Sequence, residues 1–250
     1  VIVFFHGFTN SPRQFKALGE EFHKRGYNVL IPRIPHHGLQ DRMGADLARL
    51  TAEELKAACE EAVDIAQGLG EHVTVAGLSM GGVMAGWAAQ FREDIDQAVL
   101  IAPSFGTFRA PSWLVKHTIN LLTLWPNRFI WWDPRLKTGN AGPESAYYGF
   151  SSRALGEIRR LGWVVQAHGQ DAPPRAKSIL FITNAHDQAV NKDSIDIIRR
   201  AWQKHAPHKI HLYEFPDDLQ LDHDVIDPQQ PGQRIQIVYP RILNLITGVQ

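Results

Sequence analysis

The chain has 250 residues, 44% hydrophobic and 21% charged, a length and balance that suit one large buried core. Twenty-six Lys and Arg offset twenty-six Asp and Glu, so no overall field draws the protein to nucleic acid or anionic lipid. A single cysteine, Cys59, excludes an internal disulfide and a multi-cysteine zinc site, and no apolar run approaches the ~20 residues of a membrane span.

Short apolar runs alternate with helical periodicity, the pattern of a mostly parallel sheet covered on both faces. Val1–Phe5 is a buried-strand run with neither Met nor a charged leader before it, so further residues are expected upstream. Ser11 is placed to cap a helix that has Pro12 first, carries Phe15, Leu18 and Phe22 on one face, and ends at Gly26. Tyr27–Ile31 is the next strand. From about Thr51, Leu55, Cys59, Ala62, Ile65 and Leu69 recur at core spacing. The strand His72–Ala76 leads into a helix through Val83 and Trp87, and Ala98–Ala102 follows as a strand.

About 75 residues then separate Ala102 from the strand Ser178–Thr183, far more than an ordinary connection. They carry Trp113, Trp125, Trp131, Trp132 and Trp163, five of the seven tryptophans, with helical stretches near Ser112–Leu124 and Ser152–Ala167. This predicts a helical cap over residues 104–175, seated on a core formed by residues 1–103 and 176–250, at the C-terminal sheet edge where open α/β folds bind ligands. A helix near Ser194–His205 turns Ile198 and Trp202 inward, Ile210–Phe215 is a strand, and a helical segment at Gln233–Ile246 contains Pro240, which should start or kink it.

The sharpest motif is Gly77-Leu78-Ser79-Met80-Gly81-Gly82, lying between a strand and a helix. A turn that tight strains Ser79 and points its hydroxyl out of the sheet, while Gly77 and Gly81 leave room where a Cβ would collide. The helix behind it favours developing negative charge. Ser79 is therefore the candidate nucleophile. Three other features fall in register with it: His6-Gly7-Phe8 after the first strand, Asp187 in the loop after the strand at 178–183, and the late His223 in Leu221-Asp222-His223-Asp224. Asp193 rivals Asp187, but it stands where a helix cap is wanted.

With these motifs the chain resembles the α/β-hydrolase superfamily, and within it the carboxylesterase and monoacylglycerol-lipase-like serine hydrolases, from His6 to about Ile246. The order Ser, acid, His is the one that fold uses. The resemblance implies a triad of Ser79, His223 and Asp187, with the amides of Phe8 and Met80 as the oxyanion hole. It also implies that the chain begins at the family's third strand, giving about six parallel strands with Tyr27–Ile31 at an exposed edge. The expected chemistry is hydrolysis of a small-molecule carboxylic ester through an acyl-enzyme. An amidase, thioesterase or carbon–carbon bond hydrolase would use the same groups, and a catalytically inactive binding protein would typically have lost one of them.

No cofactor is expected. His36 and His37 are too few for a metal, and five aspartates between Pro216 and Pro228 lack EF-hand spacing and read as a solvated acidic loop. The tryptophan-rich insert predicts an apolar pocket for medium-chain or aromatic acyl groups, lined by Trp131 or Trp132, with no preference for charged substrates.

Overall fold

The structure is a computed structural model that describes residues 1–42, 45–106, 115–135 and 142–248. β1 (Ile2–Phe5) is buried along its whole length, as expected of a strand with neighbours on both sides and helices on both faces. Ser11 accepts a hydrogen bond from the Arg13 amide and caps a 3-10 turn, Pro12–Phe15, which runs into α1 (Lys16–His23). β2 is only Val29–Leu30. α2 (Ala52–Gln67) opens with a capping box in which Thr51 and Glu54 satisfy each other's backbone N–H groups. Its inward face is Leu55, Cys59, Ala62 and Ala66, whereas Ile65 and Leu69, expected to share it, are exposed.

β3 (Thr74–Leu78) leads through Ser79 into α3 (Met80–Phe91), which is buried almost all round, and β4 (Gln97–Ile101) follows. The insert contains α4 (Val115–Leu124), β5 (Phe129–Trp131), β6 (Gly149–Ser151) and the long α5 (Ser152–Asp171). β5 and β6 pair antiparallel as a two-stranded ribbon, so the insert, expected as a helical cap, carries a short ribbon beside its two helices. A Cβ on Gly149 would strike the Ile130 carbonyl, which explains why this paired position is glycine. The expected helix start at Ser112 and the side chains of Trp113 and Leu114 lie outside the described residues.

β7 (Ser178–Asn184), α6 (Lys192–His205), β8 (Ile210–Phe215) and α7 (Ile235–Thr247) complete the chain. Pro240 lies inside α7 rather than at its start. The main sheet has the order β2-β1-β3-β4-β7-β8 with every pair parallel. β2 thus occupies the predicted edge, and the two extra strands pair with each other without joining the sheet. α5 packs on α3 and α6, and Gly162 and Gly169 let it approach Phe105 and Trp202 closely. The C-terminal ends of β1, β3 and β7 therefore open beneath the insert.

Candidate active site

Ser79 joins β3 to α3 with φ 57° and ψ −110°, a strained conformation for a side chain with a Cβ. Three backbone bonds hold it there. Its N–H donates to the Ile101 carbonyl at 3.0 Å, and its own carbonyl accepts from Val83 and Ser104, each at 3.1 Å. The glycines are needed sterically: a Cβ on Gly77 would strike the Gly81 carbonyl, and one on Gly81 the Phe5 carbonyl. The result is a half-buried serine at the floor of a cleft of about 670 Å³.

His223 lines the same cleft. Its Nδ1 lies 2.7 Å from Oδ2 of Asp187, whose other oxygen accepts from the amides of Ala189 at 2.8 Å and Val190 at 3.4 Å. Burial alone would raise the Asp187 pKa, but the bond and charge of His223 and the two amides outweigh it and hold the carboxyl below its usual range. Asn184, the last residue of β7, donates to the carbonyls of Leu221 and Asp222 and so ties the histidine loop to the strand that carries Asp187. The rival Asp193 is displaced from the role foreseen for it. Asn191 caps α6, and Asp193 sits in the helix's first turn.

Phe8 and Met80 both line the cleft. Met80 opens α3, so its N–H is among those a helix leaves without an internal partner. The loop before Phe8 is braced by Gln14, which sequence reading did not single out. Gln14 Oε1 accepts from the Gly7 amide and its Nε2 donates to Asp224 Oδ2, both at 2.7 Å. The available signal was a carboxamide next to Phe15 on a face otherwise apolar.

Asp224 also accepts from Gln230 and from the amides of Ile226 and Asp227, and Asp227 is 3% exposed. The acidic loop is therefore corrected: two of its carboxylates are internal braces, not solvated groups. Among the described residues, no three His, Cys, Asp or Glu are grouped to hold a metal ion. His6 and His37 are fully buried, burial pushing their pKa values down to about 4 and about 3, so both rings are neutral. His6 accepts from the Ile34 amide and faces the Gly7 carbonyl, a structural arrangement.

Of the two tryptophans expected in the pocket, Trp132 lines it, donating to Thr9 Oγ1 at 3.1 Å and packing against Phe150 in a tilted pair with ring centroids 4.6 Å apart. Trp131 does not: alternation along β5 turns its ring onto Phe129 instead.

The alpha/beta hydrolase family matches residues 2–233 of this sequence. The chain belongs to that family. Over 94 residues it is 33% identical to a thermostable monoacylglycerol lipase from Bacillus sp. (strain H-257), a match spanning 38% of this chain and 36% of that protein. The match thus covers about a third of the relative's length. Among solved structures, one described with the metagenome-derived lipolytic enzymes LipS and LipT superposes with a TM-score of 0.76 at 22% identity, covering 99% of this chain and 93% of the other. The monoacylglycerol lipase of Paleococcus ferrophilus gives a TM-score of 0.73 at 18% identity, with the same two coverages. Both solved structures share the fold described above.

Proposed function

We propose that this protein hydrolyses carboxylic esters of small molecules, with Ser79 as nucleophile, His223 as general base and Asp187 as the group that orients and stabilises it. The observation that carries the reading is the 2.7 Å bond from His223 Nδ1 to a buried, ionised Asp187, in the cleft that also holds the strained Ser79. With its Nδ1 proton directed at Asp187, His223 has Nε2 left to take the Ser79 proton. The alkoxide attacks the ester carbonyl, and the amides of Phe8 and Met80 receive the oxyanion. His223 then protonates the departing alcohol, and water repeats the sequence on the acyl-enzyme to release the acid. The lipolytic and monoacylglycerol-lipase relatives support an ester as the substrate class. Leu78, Phe150, Leu155, Ile158 and Val190 in the cleft wall support an apolar acyl or aromatic group.

The test is Ser79→Ala. The variant is expected to keep its thermal unfolding profile while kcat on a p-nitrophenyl ester drops by several orders of magnitude. Retention of more than a few per cent of the rate would overturn the assignment. A parallel panel of thioesters and anilides distinguishes an esterase from its neighbours in chemistry.

A further inference from the structure

The insert places one charge in the cleft for which the acyl-transfer machinery has no use. Arg159 lies on α5, is 3% exposed, and lines the cleft with Ser79. Its Nη1 donates to the Ser104 carbonyl at 2.7 Å, and Ser104 is itself bonded to the backbone of Ser79. Among the described residues no second hydrogen bond or ion pair to the guanidinium is seen. Its Nε has no partner among the described residues, and none of their carboxylates pairs with it. The undescribed stretches contain no Asp or Glu.

Other arginines in this protein are treated differently. Arg160, the next residue, is bonded to Glu157 and Glu53, and Arg92 to Asp94 and Asp64. Burying a guanidinium with no counter-ion costs far more than one bond to a carbonyl returns. A brace for Ser104 needs one donor, which a neutral side chain supplies. Arginine brings five, and with Nη1 engaged the parallel N–H pair on Nε and Nη2 is the edge that matches a carboxylate. Burial lowers the pKa only to about 10, so the group remains charged at neutral pH.

We propose that Arg159 is a specificity-determining residue that binds a carboxylate carried by the substrate, so that preferred esters bear an acid group joined to the ester through an apolar spacer. This rests on ester hydrolysis at Ser79. A single negative charge neutralises the buried cation, whereas a phosphate dianion would leave one charge uncompensated in an apolar wall. The other charged groups of the cleft, Asp222 and Asp224, belong to the His223 loop, and Asp224 is already fully engaged by Gln14, Gln230 and two amides. A substrate acid therefore finds its counter-charge on α5.

The experiment compares kcat/KM for monomethyl esters of linear dicarboxylic acids with the dimethyl esters of the same acids, at spacers from two to eight methylenes. Wild type is expected to favour the hemi-ester at one spacer length by about tenfold or more, through KM. Arg159→Gln, which keeps a donor for Ser104, should bring the ratio to one or below, and Arg159→Lys should restore part of it. Both esters meet the same folded molecules, so the ratio is independent of how much variant folds. If no Arg159 variant folds, wild type alone decides, by inhibition with linear carboxylates against alcohols of equal length. A wild-type ratio at or below one for every spacer, or a ratio that survives Arg159→Gln, overturns the proposal while leaving the esterase reading intact. If wild type hydrolyses neither ester, its rate on p-nitrophenyl esters decides whether the esterase reading falls. Calorimetric titration with hexanoate and hexanol then tests Arg159 by itself: binding of the acid only, lost in Arg159→Gln, upholds it, and equal or absent binding overturns it.

Discussion

Asp187 and Asp227 are both aspartates buried near the His223 loop, yet their surroundings pull them in opposite directions. Asp187 has a histidine and two amides for its oxygens, and these more than offset the cost of burial. Asp227 has one amide, from Gln229, and a neighbouring negative charge on Asp224, so burial prevails and its pKa rises to about 6. The signs follow. Asp187 contributes stability above the ordinary aspartate range, and it is lost as pH falls through its lowered folded value. Asp227 binds its proton more tightly folded than unfolded, so its contribution is full below the ordinary value of 3.8 and disappears as pH rises through about 6. Asp227→Asn retains the acceptor for Gln229 and removes the charge. It should raise stability at pH 8 by about 1–3 kcal/mol, with the gain shrinking to nothing toward pH 4. Urea denaturation at intervals across that range measures it. A gain that does not vary with pH would remove Asp227 as its source.

At the scale of elements, the site is assembled from the loops that follow four strands, β1, β3, β7 and β8, and the turn Pro12–Phe15 holds two of those loops in register. Through Gln14 the Gly7 amide beside the oxyanion loop and the Asp224 carboxylate beside His223 share one side chain. Gln14 is bonded to neither Ser79 nor His223, so in the proposed mechanism its role would be positioning. Gln14→Leu would leave the buried Gly7 N–H without its partner and Asp224 Oδ2 with Gln230 alone, costing on the order of 1–3 kcal/mol of stability. If the two loops move apart by a fraction of an ångström, kcat should drop about 10–100-fold while KM stays within about twofold. Steady-state kinetics on the folded variant, well below its unfolding temperature, separate the two effects. Lower stability with full kcat would make Gln14 a structural brace alone.

For the whole molecule, the proposed ester hydrolysis would make the volume under the insert set how large an acyl group is accepted. The cleft of about 670 Å³ has an apolar wall, and each methylene it buries contributes about 0.8 kcal/mol. Lengthening a neutral acyl chain by two carbons should therefore raise kcat/KM about tenfold until the cleft is full. A series of p-nitrophenyl esters from acetate to palmitate should climb to a maximum at medium length and then decline. A fall from acetate onward would mean that the insert closes the cleft rather than building it. The tryptophans contribute less than their number suggests: Trp132 lines the cleft but is itself half exposed, and Trp125 and Trp163 also present much of their surface to solvent.

What the sequence determined by itself is whatever depends on residues close together along the chain. The interior strands are legible because burial on both faces makes them continuous apolar runs. The strained turn at Ser79 is legible because Ser79 and its glycines fall within six residues, and the order of Ser79, Asp187 and His223 follows from the strands they succeed. Short-range patterns also explain the errors. Ile65 and Leu69 fit a helical stripe but have nothing to pack against, and the β5–β6 ribbon is too short for alternation to declare it. Only the tertiary structure decided the partners separated by long stretches of chain. Gln14 meets Asp224 across 210 positions, and Arg159 reaches Ser104 across 55. In sequence each is one more polar residue in a helical pattern. Their significance lies in a buried donor or charge, and burial is a property of what the rest of the chain folds around.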